Sequence, residues 1–303
     1  MFGLKSLKGT LIGVVAMVFV LFFCSPNTRA GDPGTGKSHE DQEKRSCIKA
    51  VDGYAYLSDK MTLSEIRAAA FADAKRKALE MAKAYIASKT KMTNFSVQYD
   101  VVWSESEGSV SVLEQKDYGI EDNARYHVWI KAEVEYSLAP KGKARYADIL
   151  QENAPLTVKV WTSKKVYKEG ENVKIYLQGN RDFYARVVDI TSSGEIIQLL
   201  PNDIRKNSRF EGGKVYGIPG EGDLFDLRVT PPYGKDRIVV YACERPLGRV
   251  RTKPIGKGLR VYQGNERILG AQTRGITVTP HSEDYQSGVE FYETTCTVRT
   301  VPR

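Results

Sequence analysis

The sequence predicts an α+β protein: an N-terminal antiparallel sheet covered by one long helix over residues 45–139, then an all-β sandwich-like domain over residues 156–303. Three observations predict it. Thr62-Leu63-Ser64-Glu65 is a capping box, and after it Ile66, Ala70, Ala74, Ala78, Met81 and Tyr85 recur at three- and four-residue intervals, one stripe of a helix. Arg125 to Leu138 alternates: Tyr126, Val128, Ile130, Ala132, Val134 and Tyr136 on one side, and Arg125, His127, Trp129, Lys131, Glu133 and Glu135 on the other, as in a half-buried strand. From Leu156 onward, short apolar runs are separated by turn signals at intervals of about ten residues, the spacing of a sandwich or barrel.

Each element has a local reason. Cys47 to Leu57 is rich in strand formers and precedes the capping box. The alanines of the helix stripe let its backbone lie close to whatever it covers. Phe95 to Trp103, a second run from Val110 and the run from Arg125 are separated by turn residues, which makes an antiparallel meander. Residues 140–155, bracketed by Pro140 and Pro155, form a linker. Beyond it Leu156–Val160, Val173–Leu177, Phe183–Val187, Ile196–Leu200, Leu224–Val229 and Arg237–Cys243 read as strands. The basic stretch from Arg249 to Arg260 reads as a solvated loop, after which Val289–Val298 returns to close the sandwich.

The first thirty residues have the layout of a cleaved export signal: Lys5 and Lys8, an uncharged apolar run from Leu11 to Phe23, then a polar stretch ending at Ala30. The apolar run falls short of the ~20 residues that span a bilayer. Cys24 offers an alternative, lipid anchoring, although the bulky Phe23 before it departs from the usual pattern. Residues 31–44 then form a disordered leader. Within it Gly31, Gly36, Lys37 and Ser38 fit the G-x-x-x-x-G-K-[ST] pattern of a phosphate-binding loop. That loop works between a buried strand and a helix, and the flanks here supply neither, so the match is false and no cofactor is expected.

The formal charge is +8, and loss of Lys5, Lys8 and Arg29 with the signal lowers it by three. A mild positive charge without a basic block argues against nucleic acid as a partner. The three histidines, His39, His127 and His281, stand at no metal-ligand spacing, and no catalytic set is marked. The expected function is therefore non-catalytic: an exported periplasmic or secreted cell-envelope protein that binds or scaffolds an envelope protein or glycan. Membrane association would come only through an N-terminal anchor. The alternatives are a hydrolase acting on envelope polymers and a structural subunit of an envelope or flagellar-type assembly. Trp129, Tyr167, Phe183 and Tyr184 are the candidate contact residues, since outward aromatics favour interfaces. Cys243 and Cys296, both in strand-like runs, are a candidate disulfide that export would permit.

The second part also resembles a known family. Tyr167-Lys168-Glu169-Gly170-Glu171-Asn172-Val173, Phe183-Tyr184, Ser193-Gly194-Glu195-Ile196, Leu200-Pro201-Asn202, Ile218-Pro219 and Pro232-Tyr233-Gly234 together are similar to the domain-of-unknown-function-4384 family. The resemblance covers roughly Leu156 to Arg245 and implies a β-rich accessory domain with no catalytic residues to transfer. The helix pattern and strand order of the first part resemble the N-terminal domains of small envelope lipoproteins and of flagellar assembly protein T.

Overall fold

Thr62 and Glu65 close the capping box: the Thr62 backbone N–H donates to Glu65 Oε2 at 2.7 Å, and the Glu65 N–H donates to Thr62 Oγ1 at 3.3 Å. The helix that follows, α1 (Leu63–Met92), comes after strand β1 (Glu43–Tyr56) in a computed structural model that describes residues 43–92, 98–103, 110–143, 149–152, 154–274 and 288–303. The meander is β2 (Tyr99–Trp103), β3 (Val110–Glu121) and β4 (Arg125–Pro140). The second part opens with β5 (Val158–Thr162), β6 (Val166–Lys168), β7 (Asn172–Val173), β8 (Ile175–Gly179), β9 (Phe183–Ile190) and β10 (Ile196–Leu200). It continues with β11 (Arg209–Phe210), β12 (Val215–Ile218), β13 (Leu227–Arg228) and β14 (Lys235–Cys243). The tail holds β15 (Thr252–Gly256), β16 (Leu259–Tyr262), helix α2 (Glu266–Arg274) and β17 (Val289–Val301). Mostly antiparallel sheet with one long helix after the first strand is the α+β class that the sequence predicts.

The expected division into two parts does not divide the sheet. One 12-stranded sheet runs β15-β16-β10-β9-β14-β17-β1-β4-β2 across both, and residues 43–303 lie within one compact unit. Strand β17 makes the join. It pairs antiparallel with β14 from Arg299 opposite Lys235 to Phe291 opposite Cys243, and on its other edge with β1 from Val289 opposite Ile48 to Thr294 opposite Glu43. The returning strand thus closes more than the sandwich. It also recruits Glu43 and Lys44 into β1, two residues expected to belong to the leader. Those pairings lie about 250 positions apart, beyond the reach of any local pattern.

Register shows which elements share a face. Cys47 stands opposite Glu290 and Val134, so Cys47, Glu290 and Tyr292 point the same way. Cys47 lies in the core under α1, while Tyr292 lies in the core under the small sheet β12-β8-β5. Helix and small sheet therefore cover the same face of the long sheet, at different ends. The helix buries Ile66, Ala70, Ala74, Ala78, Ala82 and Ile86 against Val128, Ile130, Ala132 and Val134. This row keeps four-residue spacing to its end, so Met81 and Tyr85 are only half-buried. A four-residue row drifts about 40° per step round a helix of 3.6 residues per turn, and the twist of the sheet beneath follows such a drift.

Between the two covers lies a buried polar seam. Lys89 near the end of α1 sits 3.1 Å from both Glu290 and Glu244. Burial opposes the Lys89 charge, but the two carboxylates outweigh it and raise its pKa. Arg45 donates to the Leu156 carbonyl at 2.8 Å and to Thr157 Oγ1 at 3.0 Å, while Glu290 Oε2 accepts the Leu156 N–H at 2.6 Å. These bonds fix the end of the linker against β1 and β17.

The opposite face is covered only in part. Helix α2 and the segment around Leu247 and Val250 pack on Val188, Val239, Tyr241, Val289 and Phe291. No helix signal marks this tail in the sequence, and Gly270 inside a nine-residue helix explains why. Of the stretch Arg249 to Arg260, expected as a loop, Thr252 to Arg260 instead forms most of the β15–β16 hairpin.

The cysteines correct another expectation. None of Cys47, Cys243 and Cys296 is in a disulfide, and all three are buried. Cys296 stands opposite Ile238 on β14, five residues from Cys243, and an odd offset in a strand places the two side chains on opposite faces. Cys243 lies in the core under α2 and Cys296 in the core of the sandwich. Five residues at ~3.3 Å also far exceed the Cα separation of under about 7 Å that a disulfide spans. Burial pushes the Cys243 thiol up to about 12.

Candidate functional site

Beyond the reach of β17 and α2, the far half of β1, the start of β4 up to Trp129 and β3 from Lys116 onward leave one sheet face uncovered among the described residues. Register places Asp52 opposite Trp129, Tyr54 opposite His127 and Tyr56 opposite Arg125. On the other side of β4, Lys116 stands opposite Trp129 and Glu121 opposite Arg125. The alternation that buries Tyr126, Val128 and Ile130 under α1 turns these side chains outward.

A bulge completes the cluster. The β3–β4 register shifts between Asp117 and Gly119, where Gly119 has φ +78°, the left-handed region that glycine enters without strain. Asp117 Oδ1 accepts the Gly119 N–H at 3.1 Å, and its other oxygen accepts from Arg67 Nε at 2.6 Å and from the Tyr126 hydroxyl at 3.1 Å. The extra residue in the bulge, Tyr118, lays its ring over His127.

His127 is therefore held on all sides. Its ring stacks between Tyr54, with centroids 4.6 Å apart, and Tyr118, at 4.5 Å. Its Nε2 is 2.7 Å from Asp52 Oδ1 and its Nδ1 is 2.5 Å from Glu121 Oε1. Burial disfavours the imidazolium, but the hydrogen bonds to Asp52 and Glu121 outweigh that and raise the pKa. Two aromatic faces add cation–π attraction to the charged form. Arg125 lies 4.3 Å and Lys77 5.1 Å from the Tyr54 ring, and Lys116 lies 5.0 Å from the Trp129 ring. The edge of β1 that β17 leaves open is covered by α1 side chains: Asp73 Oδ2 accepts the Tyr54 N–H at 3.0 Å, and Lys77 Nζ donates to the Asp52 carbonyl at 3.3 Å.

A pH dependence follows. A folded-state pKa above the ordinary histidine value of about 6.5 gives stability that is fully present below that value and is lost as pH rises through the raised pKa. Urea melts at about pH 6 and about pH 8.5 should show the protein weakening on the alkaline side, with His127→Gln removing that part of the difference. A difference that survives the substitution unchanged would count against the cluster.

The site residues expected from the sequence separate. Trp129 is half-buried on the uncovered face, and Tyr184 is half-buried on β9. Tyr167 and Phe183 are 0% and 1% exposed and belong to the sandwich core, where Phe183 stacks on Phe210 at 5.1 Å, so neither offers a contact surface. Gly31, Gly36, Lys37, Ser38 and Cys24, with His39 and His281, lie outside the described residues. Tyr54, Tyr118, Asp52 and Glu121 were missed. The signal for Tyr54 was its two-residue spacing from Asp52 and Tyr56 in a strand, whereas the bulge at Tyr118 has no local signature beyond Gly119. Among the described residues no group of three or more His, Cys, Asp or Glu is placed to hold a metal ion, and no helix is long and apolar enough to cross a membrane.

No curated protein and no solved structure matches this chain. Residues 166–246, from β6 to just past β14, match the family model described as Domain of unknown function (DUF4384), so this part of the chain carries the family resemblance that its turn motifs suggest.

Proposed function

We propose that this protein is a non-catalytic, exported cell-envelope protein that binds or scaffolds another envelope protein through its uncovered sheet face. The observation that carries the reading is the Tyr54–His127–Tyr118 stack with Trp129 beside it, an aromatic, charge-studded surface set rigidly on three strands. Tyr, Trp and Arg are the residues that supply most energy at protein interfaces, and a pre-ordered platform loses little entropy on binding. Tyr118 is 52% exposed, so its outer ring face is available. The balance of Asp52 and Glu121 against Arg125 and Lys116 suits a mixed-charge protein surface better than a uniformly charged polymer. Export is supported by the tripartite first thirty residues.

A photo-crosslinking amino acid at Tyr118 should capture one discrete protein in the intact envelope, and Trp129→Ala should abolish that adduct. The same group at exposed Val215 on β12 should not capture it. Identical adducts from both positions, adducts to glycan alone, or turnover of peptidoglycan by the purified protein would each overturn the reading.

A further inference from the structure

The sandwich of the second part is open at one end. There a cleft of about 750 Å³ runs between the long sheet and the β7–β13 pair. Its walls are apolar, with Ile175, Ile197, Leu199, Phe225, Leu227 and Val298 among them. Its lip includes Leu224, which is 88% exposed, an unusual position for a leucine with no covering partner. The volume is in the range of pockets that take small ligands.

The cleft is not apolar throughout. The inward column of β9, Phe183, Ala185 and Val187, continues with Asp189. Asp189 stands opposite Ile238, and Asp236, two residues from Ile238 on β14, points to the same side. Asp236 is satisfied within the protein: its Oδ1 accepts the Ser192 N–H at 2.7 Å and its Oδ2 accepts from the Thr300 hydroxyl at 3.3 Å. Asp189 is not, since its Oδ1 is shut away from water and accepts no hydrogen bond. Burial, with Asp236 adding to it, pushes the Asp189 carboxyl up to about 7. The other charged groups lining the cleft are Glu195, Asp226, Arg228 and Lys257, so carboxyls outnumber cations, and the two cations come from the β13 edge and the β15–β16 turn.

We infer that the cleft is a binding site for an amphiphilic amine, whose apolar body fills the walls and whose primary ammonium meets the Asp189 and Asp236 carboxyls. A buried carboxyl with spare acceptor capacity gains most from a ligand that brings both a donor and a positive charge. An alcohol brings only the donor, and a carboxylate is repelled. The site shares no residue with the Tyr54–His127–Tyr118 face, so either can fail alone.

The probes are n-octylamine, n-octanol and octanoate, titrated into the purified protein by calorimetry. Octylamine should bind, octanoate should not, and octanol should bind more weakly. Because the ammonium favours ionised Asp189, octylamine affinity should rise from pH 6 to pH 8, a window around the value of about 7. Asp189→Asn, nearly isosteric, should lower that affinity by about tenfold or more and flatten the pH dependence, with the thermal transition retained. Equal affinity for octylamine and octanol, no effect of Asp189→Asn, or no binding of octylamine would overturn the assignment.

Discussion

Arg274→Ala is expected to cost about 3–5 kcal/mol of folding stability, the range for removing one partner from a buried ion pair. The guanidinium ends α2 and reaches down to the long sheet. Its Nε lies 2.7 Å from Glu133 Oε1 and its Nη2 2.6 Å from Glu293 Oε2, while its plane lies 4.9 Å over the Phe291 ring. Glu133, expected on a solvated strand face, is only 3% exposed and also accepts from the Ser46 hydroxyl at 2.6 Å. Burial already raises the Glu293 pKa, opposed by Arg274 and Lys44. Without Arg274 the carboxylates of β4 and β17 face each other with no cation between them, and protonation of Glu293, whose pKa burial already raises, becomes the way to relieve it. The native state then binds more protons than the unfolded chain, so the variant's deficit should shrink as pH falls and grow as pH rises. Urea denaturation across pH checks both the size and the slope. Arg274→Met combined with Glu133→Gln should recover much of the loss, since apolar replacement of a whole buried ion pair is often tolerated. A loss under about 1 kcal/mol for Arg274→Ala would show that the pair is effectively solvated.

The second large effect is expected at Gly53, where α1 lies against β1. A Cβ there would stand 2.3 Å from the Ala70 carbonyl oxygen and 2.6 Å from Ala74 Cβ. Neither obstacle is a flexible side chain, so the helix must lift off the sheet. Overpacking of this kind costs about 1–3 kcal/mol even where neighbours can shift, and Gly53→Val should exceed the upper end. The thermal midpoint should fall by about 6 °C or more. Ala74→Gly should fail to rescue the variant, because the Ala70 carbonyl remains in the way. The displaced strand also carries Asp52 and Tyr54, so the His127 titration should shift as well. A midpoint that moves by less than about 1 °C would mean that the helix contact is softer than the distances indicate.

Much of this fold was legible locally because its signals are local. The capping box depends on four adjacent residues, the alanine row on helical period, and the burial of β4 on two-residue alternation. What escaped depends on distant pairing. That β17 lies between β1 and β14 follows from no composition or spacing, and the placement of Cys243 and Cys296 on opposite faces depends on that register. Tyr167 and Phe183 lie in strand fragments whose spacing admits both a contact and a core reading, and the core reading holds for both. Alternation puts Lys131 and Glu133 on a solvated face, and nothing local announces the α2 residue Arg274 that meets Glu133 there. The site was half legible: Trp129 and His127 were on the outward list, but the ring that stacks over His127 arrives through a bulge.

The position of β17 has a consequence for synthesis. While the chain is growing, β1, β14 and the short β6 each lack the partner that β17 supplies, and the Glu43–Ile48 part of β1 and the edge of β14 keep bare rows of unpaired N–H and C=O groups until the thirteen residues from Val289 to Val301 have emerged. Such rows are templates for pairing with other chains. A nascent molecule cut short before Val289 would offer two sticky margins at once, which makes premature termination, more than loss of any surface residue, the event most apt to send this protein into aggregates.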